Sequence, residues 1–116
     1  MTPRTSYASG ASTLPLLGET IGANLERTVA RVPGAEALVS CHQNLRYSYA
    51  EFDAAVNRVA LGLLALDLAA GDRVGIWAPN CAEWTLVQYA TAKIGVILVN
   101  INPAYRSCPR TAPCDR

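Results

Sequence analysis

The sequence predicts an α/β fold: a β-hairpin followed by a βαβ unit whose two strands run parallel. Three observations predict it. Two short β-prone runs, ALVSCH at residues 37–42 and LRYSY at residues 45–49, are separated only by Gln43-Asn44, the pattern of a hairpin. The stretches around Ile21, Phe52 and Trp84 carry apolar residues at steps of three and four, the helical period. GDRVGIW and VILV then bracket one such helix, and strand, helix and strand within about 30 residues make a unit with a right-handed crossover.

Residues 1–17 are rich in Ser, Thr, Pro and Gly and read as a flexible lead-in. Within it ASGAST has the composition of a phosphate loop, but no strand precedes it and no Lys follows, so it reads as linker. Thr20 can cap a helix over 21–31, with Ile21, Leu25 and Val29 on its apolar face and Pro33-Gly34 as the stop. After the hairpin, Ser48 and Glu51 have the spacing of a capping box. The helix they open presents Phe52, Val56, Val59, Leu63 and Leu66 on one side. A Gly71-Asp72 turn feeds a strand from Arg73 to Trp77, and Asn80 with Glu83 repeats the capping-box spacing. Trp84, Val87, Thr91 and Ile94 line the next helix, which should end near Gly95. Residues 96–99, VILV, are apolar throughout, as expected of a strand buried on both faces. Asn102-Pro103 is expected to shape the exit from that strand. Parallel strands need cover on both faces, and a chain of this size buries only about 60–65% of its unfolded surface. The pattern reads as the opening of a larger α/β domain.

Composition narrows the function. The 116 residues are 51% hydrophobic and 16% charged, values of a globular chain, and the net charge of +1 gives no reason to expect nucleic acid as partner. The apolar runs VALGLLAL and VILV are far below the roughly 18 residues of a membrane span. The N-terminus lacks the apolar core of a secretory signal, so a cytoplasmic location is expected. Cys41, Cys81, Cys108 and Cys114 contain no C-x-x-C pair and His42 is the sole histidine, so structural thiols are expected rather than zinc or disulfides. Cys81, near a helix N-terminus, is a candidate reactive thiol without a base beside it. Lys93, the only lysine, reads as a solvated surface residue. Trp77, Trp84 and Tyr89 can be read as an aromatic set that binds an apolar ligand, or, as their spacing favours, as core and interdomain packing.

The segments YSYAEFDAAVNRVALGLLAL, GDRVGIWAPNCAEW and ILVNINPAYR resemble the N-terminus of ATP-dependent fatty-acyl-CoA synthetases, members of the adenylate-forming AMP-dependent synthetases and ligases. The resemblance runs from about Pro15 to Arg106 and marks residues 18–106 as part of the AMP-binding large domain. Asp67 departs from the Gly usual in the family, a change an Asp tolerates in the left-handed conformation. The resemblance implies a reaction in two steps. ATP and a fatty acid give an acyl-adenylate and pyrophosphate, and CoA then displaces AMP. ATP, Mg²⁺ and CoA would serve the full-length family. The T-S-G-T-T-G-x-P-K-G phosphate loop and the C-terminal lysine domain are not found in this sequence, so no catalytic, cofactor-binding or metal-binding residue carries over. The chain alone is expected to be inactive and to hold no cofactor. The alternative is a non-enzymatic interaction module that pairs with intact synthetase subunits or with a separately encoded remainder. An independent flavodoxin-like binding domain is weaker, since it lacks a phosphate loop. After Arg106 the pattern stops, and residues 107–116 are expected to be an unstructured tail. A reading-frame shift at or just after Arg106 is the favoured origin, and a genuine short product with a variable tail is the rival.

Overall fold

The structure, a computed structural model, describes residue 10 and residues 17–104. The expected lead-in therefore lies outside the described residues apart from Gly10 and Leu17, and the expected tail lies wholly outside them. Among the described residues three helices and four strands follow one another: α1 (Ile21–Arg31), β1 (Glu36–Ser40), β2 (Leu45–Ser48), α2 (Tyr49–Leu64), β3 (Arg73–Trp77), α3 (Ala82–Ile94) and β4 (Ile97–Ile101). They form two separate two-stranded sheets, antiparallel β1–β2 and parallel β3–β4. The predicted α/β class, hairpin and parallel unit are all present.

The local signals act as expected at α1 and α2. Ala23 N donates to Thr20 Oγ1 at 3.2 Å, which caps α1. At α2, Glu51 N donates to Ser48 Oγ at 3.3 Å while Ser48 N donates to Glu51 Oε2 at 2.9 Å, a complete capping box. That cap claims Tyr49 for the helix, so β2 ends one residue before the expected strand does. Strand β1 also stops early. Cys41–Gln43 form a 3₁₀ turn, closed by Asn44 in the left-handed conformation at φ 52°. Asp67, beyond the end of α2, adopts φ 59°, the conformation expected of it.

Three expectations fail in a common way, because tertiary neighbours decide them. On α1 the buried residues are Gly22 and Leu25, while Ile21 is exposed. Gly22 lies against Lys93, where an added Cβ would come within 3.2 Å of Lys93 Cγ. On α2, Phe52 and Val56 are buried as predicted, but Leu66 lies past the helix end and faces solvent. On α3 the buried face is Ala82, Leu86, Ala90 and Thr91, whereas Trp84, Val87 and Ile94 are half-buried. Small residues face α2 here, so the two helices approach closely. The core is one cluster of Leu25, Phe52, Ala55, Val56, Ala60, Leu86 and Ala90 from all three helices. Leu38 and Tyr47 of the hairpin pack onto it. Full burial of Phe52 or Val56 contributes about 1.5–3 kcal/mol each.

The capping box expected from Asn80 and Glu83 is absent. The N-cap of α3 is Cys81, whose side chain makes no capping bond. Gly95 ends the helix as predicted, in the left-handed conformation at φ 75°. Strand β4 pairs with β3 in register from Arg73 opposite Ile97 to Trp77 opposite Ile101. Asn102 Oδ1 accepts from Ala104 N at 2.9 Å and turns the chain out of β4, the exit role expected of Asn102-Pro103. The expectation that VILV is buried on both faces is corrected. Val96 is buried, but Ile97 and Val99 are 46% and 42% exposed, because among the described residues nothing covers that side of the sheet.

Candidate functional site

Polar side chains converge at two places. The first lies where the three helices meet. Lys93 on α3 sends Nζ to Asp53 Oδ1 at 2.7 Å and Asn57 Oδ1 at 2.8 Å, both on α2, and to Glu26 Oε1 on α1 at 3.2 Å. Its side chain is only 10% exposed. The reading of Lys93 as solvated is therefore corrected: its aliphatic stem crosses Gly22 and its charge is claimed from two sides. Burial by itself would push the ammonium pKa down, but the hydrogen bonds that Lys93 donates to Asp53 and Glu26 outweigh it and hold the value above the ordinary 10.5. A lysine held protonated and neutralised by carboxylates is neither a nucleophile nor a free anion receptor. It ties helices together.

The second convergence joins the hairpin turn to the start of α3. Gln43 Oε1 accepts from Ser40 Oγ at 2.7 Å and from Ala82 N at 2.8 Å, and Gln43 Nε2 donates to Glu83 Oε2 at 2.8 Å. Gln43 thus supplies, from 39 residues away, the N-terminal cap that Asn80 was expected to give. The Glu83 carboxyl is held below its usual range, first by Gln43 and then by backbone donation at the helix start. Beside this network, Ser40, Cys41, His42 and Cys81 line an open cavity of about 230 Å³. Its residue types suggest nucleophile chemistry, but the geometry opposes it. Ser40 is buried and its hydroxyl proton is committed to Gln43, while His42 Nδ1 stands 3.4 Å away. Cys41 and Cys81 are free thiols. Among the described residues no group of three or more His, Cys, Asp or Glu is placed to hold a metal ion.

The three aromatic residues that could form an acyl-binding set do not share an environment. Tyr89 packs edge-on against Phe52 in the core, with ring centroids 5.3 Å apart and planes at 84°. Trp84 is half-buried on α3, and Trp77 is 62% exposed on β3. Packing accounts for Tyr89, as their spacing favoured. Trp77 is outside the core formed by the described residues.

Residues 25–108 match the family model described as AMP-binding enzyme. The chain belongs to that family. Its relatives include the mitochondrial medium-chain acyl-CoA ligase ACSF2 of Macaca fascicularis, 47% identical over 102 residues that cover 88% of this chain and 16% of the relative. The ACSF2 of Danio rerio is 49% identical over 102 residues, covering 88% of this chain and 17% of its own length. A putative acyl-CoA synthetase of Bacillus subtilis, YngI, is 45% identical over 92 residues and covers 79% of this chain and 17% of its own. Among solved structures, a fatty acyl CoA synthetase of Mycobacterium tuberculosis superposes with a TM-score of 0.72 at 36% identity, covering 74% of this chain and 17% of that one. The N-terminal domain of FACL13 from the same organism gives 0.71 at 36% identity, covering 74% and 22%. The described fold matches a part, about a fifth, of the N-terminal domain of adenylate-forming enzymes. This chain spans about a sixth of the length of the ACSF2 ligases it matches. No helix among the described residues is long and apolar enough to cross a membrane.

Proposed function

We propose that the chain is the N-terminal portion of a fatty-acid–CoA ligase, which joins a fatty acid to CoA with conversion of ATP to AMP and pyrophosphate. We propose also that the chain by itself is not catalytic. One observation carries the reading: 88% of the chain aligns with only 16% of an acyl-CoA ligase. The chemistry of the described residues agrees with it. The chain's one lysine is neutralised by Asp53 and Glu26. Adenylation gathers several anionic groups and requires positioned cations and donors, so ATP, Mg²⁺ and CoA belong to the remainder of such an enzyme. What this segment supplies is a scaffold of three packed helices and a parallel strand pair.

Two assays test the proposal. The purified 116-residue chain should show no ATP–pyrophosphate exchange with medium- or long-chain fatty acids. A chimera in which this chain replaces the 102 aligned residues of the Danio rerio ligase should form acyl-CoA. Exchange by the chain alone, or an inactive but folded chimera, would overturn it.

A second reading, a non-enzymatic module that pairs with intact synthetase subunits, is favoured by the exposed Trp77, Ile97 and Val99 on the parallel sheet. It requires a stable complex between this chain and an intact ligase in light scattering, with a cooperative melt of the chain alone. We propose a cytoplasmic location, which fractionation of expressing cells tests. For residues 107–116 we propose a shifted reading frame. Sequencing the DNA past the Arg106 codon supports that origin if another frame encodes a T-S-G-T-T-G loop.

A further inference from the structure

Two free thiols from distant parts of the chain meet at one cavity. Cys41 opens the 3₁₀ turn that follows β1, and Cys81 is the N-cap of α3. Both line the open cavity of about 230 Å³ between that turn and the start of α3, with Cys41 exposed and Cys81 half-buried. Gln43 fixes the junction, because its Oε1 accepts from Ser40 Oγ at 2.7 Å and from Ala82 N at 2.8 Å. Cys41 follows Ser40 and Cys81 precedes Ala82, so each cysteine is the chain neighbour of a group held on one oxygen atom. A cavity of this volume is about 8 Å across, comparable with the roughly 4.4–6.8 Å between the Cα atoms of a disulfide. Cys41 lies on a short exposed turn, a segment that moves at little cost. At the other thiol stands Glu83. Its carboxyl is held low first by Gln43, then by backbone donation and by the Cys81 thiol.

We propose that Cys41 and Cys81 form a dithiol site that exchanges with small-molecule disulfides of the glutathione class and closes a Cys41–Cys81 bond across the cavity. The inference goes beyond the ligase reading and does not depend on it. Exposure makes Cys41 the attacking sulfur. It gives its proton to solvent and attacks one sulfur of the small disulfide. A mixed disulfide forms, and one small thiolate leaves and takes a proton from solvent. Cys81 then passes its proton to the neighbouring Glu83 carboxylate and attacks Cys41 Sγ. The Cys41–Cys81 bond forms while the second small thiolate leaves and takes up that proton. Two protein thiols are oxidised, one small disulfide is reduced to two thiols, and no further oxidant enters. The new bond ties the hairpin turn to the first turn of α3, the junction that Gln43 already bridges.

The test treats the reduced 116-residue chain with oxidised glutathione, in native buffer and in urea, and maps the products by mass spectrometry after alkylation. Trypsin cleavage after Arg and Lys puts Cys41, Cys81, Cys108 and Cys114 on four separate peptides, so every pairing has its own mass. In native buffer the expected main product joins Val32–Arg46 to Val74–Lys93, at least about ten-fold more abundant than in urea, where only chain entropy guides closure. Cys81→Ser should stop the reaction at a lasting glutathione adduct on Cys41. Cys41→Ser should abolish the bridge and leave Cys81 the slower thiol to be capped. Separate glutathione adducts on Cys41 and Cys81 in the native chain would overturn the proposal. So would a main pairing of either cysteine with Cys108 or Cys114, or a bridge that forms as readily in urea. An adduct on Cys81 before Cys41 would reverse the assigned roles and count against the mechanism.

Discussion

Replacing Lys93 by Met should loosen the junction of the three helices. Breaking a fully buried ion pair at one partner costs about 3–5 kcal/mol, and breaking an exposed pair about 0–1 kcal/mol. Lys93 is 10% exposed and Asp53 21%, whereas Glu26 is 66% exposed, so the Asp53 contact lies nearer the first case and the Glu26 contact nearer the second. Asp53 keeps one bond, from Asn57 Nδ2 at 3.0 Å, which moderates the loss. The Met stem retains most of the packing across Gly22. The expected cost is about 2 kcal/mol, which lowers the melting temperature of a domain this size by about 8–16 °C. Urea unfolding followed by circular dichroism measures it. Adding Asp53→Asn should cost less than the two single losses combined, with a coupling of about 1 kcal/mol. The alkaline limb gives an independent check. Because the folded-state pKa of Lys93 is raised, its contribution is complete below about pH 10.5 and is lost as pH climbs through the higher folded value. Lys93→Met should lack that loss. A cost for Lys93→Met within about 0.5 kcal/mol, the range of an ordinary surface change, would refute the buried network.

Gln43→Ala removes the acceptor for Ala82 N and for the buried Ser40 hydroxyl, and should destabilise by about 1 kcal/mol. Hydrogen exchange should speed up first in the opening turn of α3, and an unchanged rate there would mean the long-range cap contributes nothing. Glu51 is held below the usual carboxylate range by the Ser48 backbone N–H, then by the Ser48 hydroxyl. Its contribution is present above the unfolded value and lost as pH falls through the lower folded one, so Glu51→Gln should flatten the acid limb of the stability curve. An acid limb identical to that of the native chain would count against the capping box. Gly95→Ala places a Cβ at φ 75° and 3.1 Å from Ala70 Cβ, with an expected loss of about 1–2 kcal/mol by thermal melt. A neutral result would show that the end of α3 repacks freely.

Where a structural decision rests on residues three or four apart, it was legible. Thr20 and Ser48 cap their helices through backbone atoms three residues on, Gly95 ends α3 through its own φ, and Asp67 takes the left-handed turn. Hairpin and βαβ unit follow from the alternation of β-prone runs and helical periods, and the segments GDRVGIWAPNCAEW and ILVNINPAYR carry the resemblance to the family. Contacts across about 40 residues were not legible. Lys93 looked like a solvated cation because Asp53 and Glu26 lie on other helices, and α3 looked capped by Asn80 because Gln43 is distant in sequence. Nor did periodicity separate Trp84 and Val87 from Ala82 and Ala90 as the inward face of α3. Apolar content favours the first pair, but close approach of α2 favours the small second pair.

The sequence by itself determined the class of fold, the order of its elements and the N-terminal caps of α1 and α2, all written in short-range pattern, while its motifs carried the resemblance to the AMP-binding enzymes. Tertiary structure alone decided which way α3 turns, where the single lysine's charge goes, and which side of β3–β4 stands open. Those depend on how close two backbones come and on what else is present to cover a surface, and neither distance nor cover is encoded in local spacing.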